Sequence, residues 1–115
     1  MNVTFETATA ATVARPQGRL DFGAAAGLQQ QLEEVIAQKP VALVVDCAQL
    51  EYVSSAGLRV FLVAARAAKA ASIPFIACGL QASVREVFDV SGFTRILEIH
   101  ADTAAALAHL GTPAA

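Results

Sequence analysis

The chain has 115 residues, 56% of them hydrophobic, with eight basic and ten acidic side chains and a net charge of −2. That length predicts one domain with a single real core that needs no covalent staples. Basic residues this few and scattered make no stripe along a duplex, which excludes nucleic-acid binding, and no apolar run approaches the ~20 residues that span a bilayer, which excludes membrane insertion.

Residues 1–8 lack a basic region and contain Glu6, so they do not read as a secretory signal, and the expected address is the cytoplasm. Residues 2–6 alternate polar and apolar, as a short strand does. Residues 12–15 read as a second strand ending at Pro16-Gln17-Gly18. Asp21 can then cap a helix over about 22–38, with Leu28, Leu32, Val35 and Ile36 on one face and Lys39-Pro40 as its stop. The run 41–47, apolar except for Asp46, predicts a strand buried on both sides. A second helix is expected over 55–71 and another buried strand over 73–78. Residues 82–90 read as a short helix with Val84, Val87 and Phe88 inward. A last strand follows at 96–99. Asp102 or Thr103 caps a final helix carrying Leu107 and Leu110, and residues 110–115 are expected to fray. Strands alternating with helices predict an α/β fold: a mixed, mostly parallel sheet of four or five strands flanked by about four helices.

The stretch Glu51-Tyr52-Val53-Ser54-Ser55-Ala56-Gly57-Leu58 places two serines at a strand-to-helix turn, where backbone amides point outward unpaired. Sites in parallel sheets gather at such ends, and Asp21 occupies another. Either serine can cap the helix. An exposed one can also accept a phosphoryl group, because a helix N-terminus favours an anion. On the helix that follows, Leu58, Phe61, Leu62 and Ala65 are expected to pack on the sheet, with Arg59, Val63 and Arg66 on an exposed stripe.

An enzyme is poorly supported. A serine nucleophile needs a base and an orienting group, whereas the only histidines are His100, after the last strand, and His109, in the last helix. GxSxG is absent, Gly18, Gly23 and Gly27 make no phosphate loop, and no metal-ligand spacing is visible. No catalytic residue, metal or cofactor is therefore expected. Cys47 and Cys78 lack CxxC spacing and read as buried free thiols.

Val41-Ala42-Leu43-Val44-Val45-Asp46, followed by Val53-Ser54-Ser55-Ala56-Gly57-Leu58, resembles the STAS domain of anti-sigma factor antagonists. Gly18-Arg19-Leu20-Asp21 is similar to the family's glycine-x-leucine-aspartate. Phe75-Ile76-Ala77-Cys78-Gly79 and Val87-Phe88-Asp89-Val90-Ser91-Gly92-Phe93 match further, in the right order, across about residues 12–99. The resemblance implies a single STAS domain over 1–115. Better-known members carry aspartate-serine-serine-glycine or aspartate-serine-threonine-glycine at the turn, the first serine being phosphorylated. Aligned on Gly57, that acceptor is Ser55, the aspartate falls at Ser54 and the second hydroxyl at Ala56.

The resemblance further implies a binding module rather than a catalyst. The unmodified domain binds an anti-sigma factor that is also a GHKL-type serine kinase, releasing sigma factor. Phosphorylation of Ser55 ends the complex, and a PP2C-type phosphatase resets it. The implied partner contacts are Asp21, Ser54, Ser55, Ala56, Gly57 and Arg59, although Asp21 alone can be a cap and Arg59 part of a solvated face. Two alternatives stay open: a STAS subunit of a lipid-transport or stressosome-type assembly with a purely structural serine turn, and a nucleotide binder at the same place.

Overall fold

The apolar runs around residues 43–46 and 75–78 become the centre of a six-stranded sheet in the computed structural model, which describes residues 1–111. The strands are β1 (Asn2–Thr7), β2 (Thr12–Leu20), β3 (Leu43–Asp46), β4 (Leu50–Val53), β5 (Phe75–Cys78) and β6 (Glu98–His100). The helices are α1 (Phe22–Ala37), α2 (Ser55–Ala70), α3 (Ala82–Val90) and α4 (Thr103–Gly111). The sheet order is β1-β2-β3-β5-β6, with β4 paired to β2. Only β1 runs antiparallel to its neighbour.

Successive strand residues point to opposite faces, so Leu43, Val45 and Ala77 enter one core while Val44, Ile76 and Cys78 enter another. The crossovers through α1, α2 and α3 all step along the sheet in one direction. Right-handed connection then places all three helices on the same face. The larger core lies there, built from Leu28, Leu32 and Ile36 of α1, Phe61 and Ala64 of α2, and Val84 and Phe88 of α3. The Phe61 and Phe88 rings meet edge to face at 5.2 Å. Among the described residues α4 is the helix that closes the other face, with Ala106 buried and Leu107 and Leu110 packed against it. Cover on both sides is why the central strands carry no polar alternation.

The elements follow the sequence expectation with several differences. β2 does not end at Pro16. Proline sits opposite Val3 of β1, but on the other edge β3 pairs with Thr12 to Ala14 and β4 with Gly18 to Leu20. That ladder already has a gap where Pro16 has no N–H to give. Gly18, at φ 90°, allows the register shift that follows it. β4 is the strand beyond the expected four or five. Residues 47–49 are too few to carry the chain away from the sheet, so it resumes alongside β2.

β3, β5 and β6 are shorter than expected, whereas β1 runs one residue further, to Thr7. Val41, before β3, is 73% exposed, and a 3-10 turn at Phe93–Arg95 delays β6 to Glu98. α4 runs through Leu110 and Gly111, which were expected to fray; residues 112–115 of that expectation lie outside the described residues. No helix of the described residues is long and apolar enough to cross a membrane.

Candidate functional site

β2 and β4 lie parallel and finish level, Leu20 opposite Val53. Each passes into a helix through a single capping residue, so the N-termini of α1 and α2 open side by side at one end of the sheet. Asp21 caps α1, its Oδ1 accepting from the Ala24 amide at 3.0 Å. Ser54 caps α2: its Oγ accepts from the Gly57 amide at 3.1 Å and donates to the Leu20 carbonyl at 3.2 Å. The Ser54 amide donates to the same carbonyl at 2.9 Å. The Ser54 hydroxyl is thus committed in both directions, tying the helix start to the neighbouring strand.

Ser55 is different. It is the first helical residue of α2, it is exposed, and its hydroxyl makes no hydrogen bond among the described residues. Helix geometry leaves the Ser55 and Ala56 amides without an intrahelical acceptor, whereas those of Ser54 and Gly57 are satisfied. A negative group on Ser55 would sit at the positive end of α2, where such a charge contributes roughly 0.3–1 kcal/mol of stability.

Gly57 fixes how closely this turn sits on the strands. A Cβ there would come within 2.7 Å of both the Leu20 Cγ and the Leu20 carbonyl oxygen, and 2.8 Å of a Val53 methyl. Leu20 and Val53 are themselves buried. Only glycine lets the first turn of α2 rest on Leu20.

A sequence model of the STAS domain matches residues 2–106, nearly the whole described chain. The chain belongs to the STAS domain family. It is 32% identical over 112 residues to the Bordetella bronchiseptica protein BtrV, named as an anti-sigma factor antagonist, with 97% of each chain covered. Its fold superposes on an anti-sigma factor antagonist from Mycobacterium paratuberculosis with a TM-score of 0.86 at 20% identity, covering 96% of this chain and 93% of that one. SpoIIAA, an anti-sigma factor antagonist solved in its unphosphorylated form, superposes with a TM-score of 0.80 at 22% identity and 96% cover of each chain.

Within this STAS domain the expected site residues fall together in part. Asp21, Ser54, Ser55, Ala56 and Gly57 meet at the paired strand ends. Arg59 lies one helical turn beyond Ser55, exposed and without an ion pair among the described residues. The faces of α2 needed correction. Leu58 and Phe61 are buried as expected, but Leu62 and Ala65 are only half-buried, and Val63 is half-buried rather than exposed. The inward arc is instead Gly57, Val60, Phe61, Ala64 and Ala68, because α2 packs on α1 as well as on the sheet. Leu62 and Ala65 border an open groove of about 610 Å³ with Lys69 and Ile96. Lys69 is fourteen residues along α2 from Ser55, or about 21 Å, so the groove is a separate place.

One residue of the surface was missed. Phe22, the first residue of α1, is 85% exposed beside the Asp21 cap and is the register counterpart of Ser55 on α2. Nothing in the sequence separates it from a core phenylalanine. The two cysteines are free and buried as expected, and burial raises both thiols above their ordinary pKa, which keeps them protonated and unreactive.

The two serines should separate in a stability measurement. Ser54→Ala removes a cap and a strand tie, and is expected to cost about 1–2 kcal/mol in urea unfolding. Ser55→Ala should lie within about 0.5 kcal/mol of wild type, as for a surface position. Equal losses would contradict the division of roles between them.

Proposed function

We propose that this STAS domain is an anti-sigma factor antagonist acting by partner switching: a binding module and kinase substrate rather than a catalyst. Unmodified, it binds an anti-sigma factor that is also a GHKL-type serine kinase, and sigma factor is released. The kinase transfers the γ-phosphoryl group of ATP to Ser55 Oγ. The bond to ADP breaks as the new P–O bond forms, and the hydroxyl proton leaves to a base of the kinase. A PP2C-type phosphatase hydrolyses the ester and restores the binding form.

The observation that carries this reading is the contrast at the turn. Ser54 Oγ is bound on both sides by the fold, whereas Ser55 Oγ, one residue later, stands exposed and unengaged among the described residues. The likenesses to BtrV and to SpoIIAA in its unphosphorylated form support the class of partner and the use of phosphorylation. Charge supplies the switch. Phosphorylation adds about −1.5 to −2 charges. An interface packed around a hydroxyl would have to desolvate that group, and each ~1.4 kcal/mol lost weakens binding tenfold.

The contact surface is Asp21, Phe22, Ser55, Ala56 and Arg59, held in place by Ser54 and Gly57. Phe22 is its apolar anchor. The few residues that dominate an interface lie near its centre, large aromatics prominent among them, and truncating one costs about 2 kcal/mol or more. Phe22→Ala should therefore leave the melting temperature unchanged and weaken kinase binding by at least roughly tenfold. Unchanged affinity would remove this end of α1 from the interface. The function itself is tested by calorimetric titration of the purified chain with an anti-sigma factor kinase of the GHKL type, first alone and then after incubation with ATP. Tight binding that ATP abolishes is expected. Binding insensitive to ATP, or no binding, would refute the switch.

A further inference from the structure

The sequence shows no metal-ligand spacing, yet the fold brings three ligating side chains together at the sheet edge. Alternation puts Glu98 and His100 on the same face of β6. Their ladder partners, Ile76 and Cys78, belong to the core beneath α4, so both side chains project toward that helix. On α4, His109 stands three residues beyond the buried Ala106, on the flank that faces the sheet. The Nε2 atoms of His100 and His109 lie 2.8 and 3.0 Å from the same Glu98 oxygen. The two imidazole centroids are 5.0 Å apart, and the three ligand atoms all lie within 4.8 Å of one another.

We propose that Glu98, His100 and His109 bind a borderline divalent transition-metal ion, zinc being the probe, which clips α4 to the edge strand β6. Two imidazoles and one carboxylate are a donor set that suits zinc and its neighbours and leaves a fourth, solvent-facing position for water. Bonds of about 2.0–2.2 Å to each donor require the present nitrogen–oxygen contacts to open by only a few tenths of an ångström. Glu98 and His109 have that freedom, with side chains 48% and 57% exposed. As they stand, two imidazoles share one carboxylate oxygen; a dication would engage all three groups at once. The clip matters mechanically. Among the described residues β6 has a ladder partner on one edge only, and α4 covers the second core of the sheet.

The test uses the untagged full chain titrated calorimetrically with zinc chloride, beside His109→Ala and Glu98→Gln. One zinc per chain is expected. His109→Ala should weaken it by at least about tenfold, since even losing a group that only supports a ligand costs 10–100-fold. Zinc should also raise the melting temperature of wild type, EDTA should reverse the rise, and His109→Ala should show none. The exposed position of His109 means that this variant folds, which its metal-free melting temperature checks. Absence of saturable binding, one zinc per two chains, or undiminished affinity in His109→Ala would each overturn the site.

Discussion

Gly57→Ala should lower the stability of the domain by about 2 kcal/mol, read as a fall of roughly 8 °C in melting temperature. In an isolated helix the change would be favourable, because alanine is preferred over glycine by up to about 1 kcal/mol. Here the added methyl meets the Leu20 carbonyl at 2.7 Å and a Val53 methyl at 2.8 Å. Neither can step aside: Leu20 receives two bonds from Ser54, and Val53 is buried in the core. Overpacking therefore outweighs propensity. The first turn of α2 must lift, taking the Ser54 cap with it, so Ser55 should also become a poorer kinase substrate. A melting temperature within a degree of wild type would show that the strand ends yield more easily than this geometry implies.

Ser55→Glu is expected to weaken binding to the anti-sigma kinase by more than about tenfold while leaving the fold intact. The carboxylate stands at the N-terminus of α2, where it is mildly stabilising, so unfolding experiments should show no loss. Binding should suffer because burying an unpaired charge in a packed interface costs several kcal/mol, of which only part is recovered. One carboxylate carries less charge than a phosphate, so the variant should fall between wild type and the phosphorylated form. Ser55→Ala should bind as wild type does and resist release by ATP. Calorimetry on the three proteins measures the order. Equal affinity for wild type and Ser55→Glu would exclude a switch based on charge.

The parts of this molecule that repeat a physical period were legible in its sequence. α1 appears with its Asp21 cap, and α1 and α3 both appear with their inward residues, because Leu28, Leu32, Ile36, Val84 and Phe88 recur at helical spacing. The central strands appear because they are apolar on both faces. β4 was hidden: in Leu50–Val53 only the two end residues are buried, a pattern without alternation. The half-burial of Leu62 and Val63 was hidden too, because α2 divides its surface between the sheet and α1, and the sequence does not say which neighbour a helix meets. At the site, the turn and its glycine could be read, but not which serine the fold consumes. That depends on the Leu20 carbonyl, thirty-four residues away in the chain. Phe22 and the Glu98–His100–His109 cluster depend in the same way on what lies beside them in space.

Ser55 as the phosphoryl acceptor is tested most directly by mapping the product of the kinase reaction by mass spectrometry. The purified chain and its Ser54→Ala and Ser55→Ala variants are incubated with the anti-sigma kinase and ATP and then digested. A single phosphate on Ser55 is predicted, retained in Ser54→Ala and absent from Ser55→Ala. Phosphate on Ser54 of the wild-type chain, or phosphorylation that survives in Ser55→Ala, would contradict it.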